Sequence, residues 1–186
     1  MKWPAQEDIL IALTGATLAL CLAGSALMTL PEAVAGRSPV HRELQRAAGF
    51  TTDTAIEMAC DITAYCPGSC CNSATVSENG ITRSVDWSGR IAAGDFTMEE
   101  LLAKGIGVAA VDPAVIPYGS IIEYGGSWYI ALDTGSAIRG NRIDLLLPEH
   151  AETVSFGRRN GEMVRVLAAR NPMEALAALR SILNND

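Results

Sequence analysis

Between residues 107 and 147, short apolar runs alternate with strong turn signals, a pattern that reads as a series of β-strands. Residues 107–111 and 120–124 are two such runs, separated by Ile116-Pro117-Tyr118-Gly119, where proline presets a turn and glycine closes it. A third, residues 128–132, follows Gly125-Gly126, a dipeptide that supplies positive φ at little steric cost and so joins two strands as a hairpin. A return strand follows through Arg142-Ile143-Asp144-Leu145. Periodicity alone thus supports a mostly β domain with short helices.

Three aspartates stand at the ends of these runs or inside them: Asp112 in Val111-Asp112-Pro113, Asp133 in Leu132-Asp133-Thr134-Gly135, and Asp144. Acids at the ends of separate strands can converge. A carboxylate held beside others in a partly dry cleft has its pKa raised, which makes it a usable proton donor near neutral pH. The alternative is that Asp112 and Asp133 only cap turns through side-chain to backbone hydrogen bonds. It is the cluster, rather than any one aspartate, that favours chemistry. Leu132-Asp133-Thr134-Gly135-Ser136 also matches the aspartic-protease tetrapeptide, but it occurs once and no second lobe is visible.

Val108-Ala109-Ala110-Val111-Asp112-Pro113, then Ile116-Pro117-Tyr118-Gly119, then the run from Ala131 to Asp144, then Phe156-Gly157-Arg158-Arg159, together resemble the 3D domain, named for its three aspartates. The resemblance covers residues 59–167. It implies a mainly β fold, a six-stranded double-psi β-barrel with short peripheral helices, and an activity like that of lytic transglycosylases that cut peptidoglycan. In that company Asp144 is the catalytic acid, while Asp133 and Asp112 support it, raising its pKa and fixing its rotamer. Thr134, Gly135, Arg139 and Gly140 are expected along the glycan. Thr82 joins them because Gly80-Ile81-Thr82 is similar to the start of a cleft-lining stretch in related barrels. A barrel that binds peptidoglycan without cutting it is the alternative. No cofactor is expected, and the protein is expected to act as a monomer.

Cys60, Cys66, Cys70 and Cys71 fall within twelve residues. In an exported chain they suggest two disulfides, with three possible connectivities. A zinc ion held by four thiolates is the rival reading. The Thr63-Ala64-Tyr65-Cys66 opening followed by Cys70-Cys71 resembles a cysteine-rich subset of 3D proteins, which usually carry a further cysteine where this chain has Gly68. Cys60 is extra. His41 and His150 stand in no metal-ligand spacing and read as surface residues, so no metal site is assigned and a catalytic thiol is not expected.

The remaining segments set the plan. Residues 1–35 read as a signal peptide or N-terminal membrane anchor: Lys2 precedes an uncharged stretch over residues 9–30, and Ala33-Val34-Ala35 supplies small residues for cleavage. The protein is therefore expected in the cell envelope, with possible membrane attachment through this segment. Leu20 stands where a small residue should precede Cys21, so lipidation is not expected. Residues 36–56 read as a spacer with two helical turns over 42–48, residues 57–170 as the barrel domain, and residues 171–186 as a terminal helix. Within the domain, residues 60–65 form the first strand and Thr97-Met98-Glu99-Glu100 opens a short helix. A further helix covers about 149–156, and 163–168 close the barrel. The net charge of −7, with no basic run, excludes nucleic acid as a partner.

Overall fold

The computed structural model describes residues 39–50 and 55–185; the expectations for residues 1–35 lie outside them. Six strands close into a barrel: β1 (Ile56–Tyr65), β4 (Gly107–Ala110), β5 (Ile121–Tyr124), β6 (Ser127–Asp133), β7 (Arg142–Leu146) and β8 (Arg159–Leu167). Around the wall they run β1-β7-β4-β6-β5-β8, and β8 returns to β1. The β1–β7 and β4–β6 pairs are parallel and the others antiparallel, so the barrel is mixed.

The turn signals act where the sequence puts them. Gly125 and Gly126 both take positive φ between β5 and β6, and Gly119 takes φ +82° at the close of the Ile116–Gly119 turn. One hairpin lies outside the barrel: β2 (Ser73–Glu78) and β3 (Ile81–Asp86) pair through Asn79-Gly80, both left-handed at φ 52° and 77°. That is the geometry a two-residue hairpin turn demands of its central residues.

Alternation along the strands separates two cores. Cys60, Ile62, Ala109, Ile122, Tyr129, Ala131, Ile143, Leu145, Val164 and Val166 come from all six strands and fill the interior. Val108, Ile121, Trp128, Ile130, Leu132, Leu146 and Leu167 face outward and are covered by helices. Those helices are α1 (Pro39–Ala47), α3 (Met98–Ala103) and α5 (Pro172–Asn184), which bring Val40, Leu44, Met98, Leu101, Leu179, Ile182 and Leu183 into the same cluster. The short α2 (Ser69–Asn72) leads into the hairpin, and α4 (His150–Phe156) follows β7. Thr97 caps α3 by accepting from the Glu100 amide at 3.1 Å, and Asn171 caps α5. Among the described residues, no helix is long and apolar enough to cross a membrane.

Helix α1 lies in the segment expected to be a spacer, and it packs against α5. Its apolar face carries His41 inward, correcting the surface expectation: the imidazole is 1 % exposed and meets Trp128 edge-on, with ring centroids 6.2 Å apart. Both ring nitrogens are buried without a hydrogen-bond partner, and burial pulls the pKa from 6.5 down to about 4. A group whose folded pKa is depressed stabilises the fold above its unfolded pKa and loses that contribution as pH falls through the folded value. His41→Leu is therefore expected to flatten the loss of melting temperature between pH 6.5 and 4, measured by calorimetry against the parent.

Candidate active site

The strand register places the candidate residues in one row across four neighbouring strands. Thr63 of β1 stands opposite Asp144 of β7, Asp144 opposite Ala110 of β4, and Ala110 opposite Asp133 of β6. Only a methyl group stands between the two acids in this row. Asp133 reaches it through an irregularity: the β4–β6 register jumps from Ala109–Ala131 to Ala110–Asp133, passing over Leu132. By alternation Asp133 would follow Tyr129 and Ala131 into the interior. The bulge turns it toward the outer row instead, as bulges beside active sites commonly do.

The two acids sit in different surroundings. Asp133 is 7 % exposed and surrounded by donors: Oδ2 accepts from the Tyr65 hydroxyl at 2.8 Å, and Oδ1 from the amides of Thr134 at 2.9 Å and Ala92 at 3.1 Å. Burial raises its pKa, while all three donors oppose the rise. Asp144 accepts one such bond, from Thr63 Oγ1 to Oδ1 at 2.7 Å. Burial raises its pKa too, the Thr63 bond opposes, the charge on Asp133 adds to the rise, and Arg142 opposes. Asp144 is partly open to solvent, whereas Asp133 is sealed. Of the pair, Asp144 is the carboxyl with an oxygen left for something other than protein.

Asp112 departs from its expected part. Oδ2 accepts from the Gly140 amide at 2.8 Å and Oδ1 from the Ala114 amide at 3.1 Å, and these bonds, with Arg139 nearby, lower its pKa. It is not among the groups that raise the pKa of Asp144. Its carboxylate caps its own turn and clamps the loop after β6 at Gly140, whose φ of +62° and open surroundings suit glycine there. Arg139 donates from Nη1 to the carbonyls of Gly135 at 3.0 Å and Ile138 at 2.8 Å, so it closes the same loop. Thr134 lies beside Tyr118, whose pKa burial raises and the Thr134 side chain opposes. Thr82 stands elsewhere, exposed on β3 and 3.4 Å from Ser77 Oγ.

Thr63 and Tyr65 join the candidate site as hydrogen-bond donors that sequence reasoning missed. Their signal was available, since positions two apart on a strand share a face. Their partners, 81 and 68 residues away, were not visible. The cysteines also regroup. All four are free thiols; Cys60 is buried in the interior cluster, while Cys66, Cys70 and Cys71 gather around His150. The expected disulfide set of four is thus divided. His150, read as a plain surface residue, is exposed but lies against three sulfurs.

Residues 107–167, which run from β4 to the end of β8, match the 3D domain. The chain is similar to YabE of Bacillus subtilis, named for cell wall shaping, at 44 % identity over 87 residues, 46 % of this chain and 21 % of that protein. It is also similar to YorM, an uncharacterized SPbeta prophage-derived protein of the same organism, at 43 % over 61 residues, 31 % of this chain and 26 % of YorM. A third relative, the cell wall-binding protein YocH of that organism, is 45 % identical over 51 residues, 27 % of this chain and 18 % of YocH. The chain therefore spans about a fifth to a quarter of the length of these relatives.

Removing the Tyr65 hydroxyl leaves a buried carboxylate oxygen short of its donor, so Tyr65→Phe is expected to destabilise the fold by about 1–3 kcal/mol in denaturant titrations. Asp144→Asn should act in the opposite sense. A carboxyl whose folded pKa is raised stabilises below its unfolded pKa and loses that contribution as pH rises through the folded value. Relative to the parent, the melting temperature of Asp144→Asn should therefore climb as pH increases from about 4 toward neutrality.

Proposed function

We propose that the protein is a peptidoglycan lytic transglycosylase in which Asp144 serves as both acid and base. The observation that carries this reading is the asymmetry of the acid pair: Asp133 is saturated with donors, while Asp144 is half-buried, has one hydroxyl donor, and is biased by its surroundings toward the protonated form. One carboxyl poised in this way suits a cleavage that needs one proton delivered and one removed in turn.

Asp144 gives its proton to the oxygen linking N-acetylmuramic acid to N-acetylglucosamine as the bond from that oxygen to muramoyl C1 breaks. The resulting carboxylate then takes the proton of the muramoyl C6 hydroxyl while its oxygen bonds to C1. The product is a 1,6-anhydro sugar, no water is consumed, and Asp144 ends protonated. Hydrolysis would ordinarily call on two carboxyls at set separations, one of them activating water or attacking the sugar. An attacking hydroxyl within the same ring replaces that second group and arrives already positioned. Thr63 fixes the Asp144 rotamer; Asp133 contributes charge; Asp112, Arg139 and Gly140 shape the loop alongside.

A binding barrel without catalysis is the second reading, and the name of YocH favours it. The aspartic-protease reading is weaker, because both oxygens of Asp133 are already taken by protein donors. Incubation with isolated peptidoglycan separates the first two. Mass spectrometry should find anhydromuropeptides, and their rate of release should fall about 10²–10⁴-fold in Asp144→Asn. Reducing ends in place of anhydro ends would mean a hydrolase, and co-sedimentation with no release would mean the binding module.

The pH profile gives a separate check. A protonated Asp144 is required at the start, so activity is expected to fall on the alkaline side as its proton is lost. Arg142 lowers the pKa of Asp144. Arg142→Gln should therefore move that alkaline limb to higher pH.

A further inference from the structure

Cys66, Cys70, Cys71 and His150 come together from two places about eighty residues apart in the chain. Cys66 follows β1, Cys70 and Cys71 lie in α2, and His150 is the first residue of α4. The Cys66 sulfur is 3.2 Å from that of Cys70 and 3.5 Å from that of Cys71. His150 Nδ1 lies 3.9, 3.5 and 3.6 Å from the sulfurs of Cys66, Cys70 and Cys71. All four atoms fall within 4.8 Å of one another.

A tetrahedral zinc ion with sulfur at about 2.3 Å and nitrogen at about 2.0–2.1 Å separates its ligands by about 3.8 Å between sulfurs and about 3.6 Å between sulfur and nitrogen. The sulfur–nitrogen distances of Cys70 and Cys71 fall on that value and that of Cys66 lies about 0.3 Å beyond it, while the sulfur–sulfur distances of 3.2 and 3.5 Å need only a few tenths of an ångström of expansion. We propose that these residues form a zinc site of three thiolates and one imidazole. With four protein ligands the ion has no open position, so its work is structural. Disulfide chemistry offers a poorer account: it joins sulfurs in pairs and has no use for an imidazole set almost equally near three of them. The remaining cysteine, Cys60, is buried in the barrel interior.

The surroundings are built for the ligands. Asn72 Nδ2 donates to the carbonyls of Cys66 at 2.6 Å and Gly68 at 2.9 Å, holding the loop in a tight knuckle. Gly89 N donates to the Pro67 carbonyl at 3.1 Å, tying the chain beyond the hairpin to that knuckle. On the other side, the Glu149–Glu152 capping box and the Thr153 hydroxyl, 2.7 Å from the His150 carbonyl, fix the first turn of α4. A groove lined by Cys66, Cys70, Glu99, Leu102, Glu149 and His150 lets an ion in from solvent. Zinc here would staple the end of β1 and the root of the β2–β3 hairpin to the helix that follows β7.

The test uses the full chain, isolated without chelator, with metal measured by plasma mass spectrometry and thiols by alkylation and intact mass. One zinc per chain is expected, falling to near zero in Cys70→Ser and in His150→Ala, and kept in Cys60→Ser and His150→Cys. Cobalt in place of zinc should give the visible bands of a tetrahedral thiolate site and a thiolate-to-metal band in the near ultraviolet. In the unaltered chain, where no variant can misfold, Cys70 and Cys71 should resist iodoacetamide until a chelator is added. Metal-free chain with a mass lowered by two hydrogens would overturn the proposal in favour of a disulfide. Zinc that persists in both Cys70→Ser and His150→Ala would overturn it in favour of another site.

Discussion

The hydrogen bond from Tyr65 to Asp133 fixes the rest of the site. An ionisable group 7 % exposed is tolerated only when its oxygens are matched by donors, and here one donor is a buried phenol from β1 and two are backbone amides. Those donors come from three parts of the chain: the first strand, the irregular segment at Ala92, and the turn that Asp133 itself enters. Satisfying one carboxylate therefore sets β1 and the segment before α3 relative to β6. Asp144 lies within that frame, and its half-dry environment is a consequence of it.

Two aspartates in one row across the wall acquire different characters without any difference in chemistry of their own. Burial pushes both pKa values up; the number of donors separates them. Asp133 has both oxygens engaged by fixed protein donors. Asp144 keeps one strong donor and an outward aspect. Asp112 completes the contrast. Its two amide donors pull its pKa down, and it acts on the loop at Gly140 instead of on the acid pair. The three aspartates of one motif thus sit in three different surroundings.

What could be read from the sequence follows from the range of the interactions involved. The strands from Gly107 to Leu146 were legible because Pro117-Tyr118-Gly119 and Gly125-Gly126 mark their ends locally and buried apolar residues fill them. The helix start at Thr97 was legible for the same reason. The β2–β3 hairpin was missed although Asn79-Gly80 announced it, because its strands are exposed on nearly every residue and carry no apolar alternation. Helix α1 was undervalued because its amphipathic face has meaning only once α5 is in place to receive it. The pairings Thr63–Asp144 and Tyr65–Asp133, the bulge at Leu132 and the meeting of His150 with three cysteines all join segments far apart, and no local pattern encodes them.

The parallel pairing of β1 with β7 explains why so much is gathered at the end of β1. An antiparallel hairpin has its register set by its turn, but parallel strands have no such device, and here almost eighty residues separate the two. A slip of one residue would turn Thr63 and Tyr65 to the opposite face together, and both acids would lose their hydroxyl donors at once. Besides the ladder with β8 and the buried face of the strand, contacts past the end of β1 help to hold it in place. The Tyr65 carbonyl accepts from the Leu147 amide at 2.9 Å, just past β7, and the next residue, Cys66, reaches His150 three positions after Leu147. A metal held there would act on the register itself, fixing the two strands at the end where they leave the sheet. The register shift that passes over Leu132 lies at the opposite end of the row, where it sets Asp133 opposite Ala110, the residue that also faces Asp144.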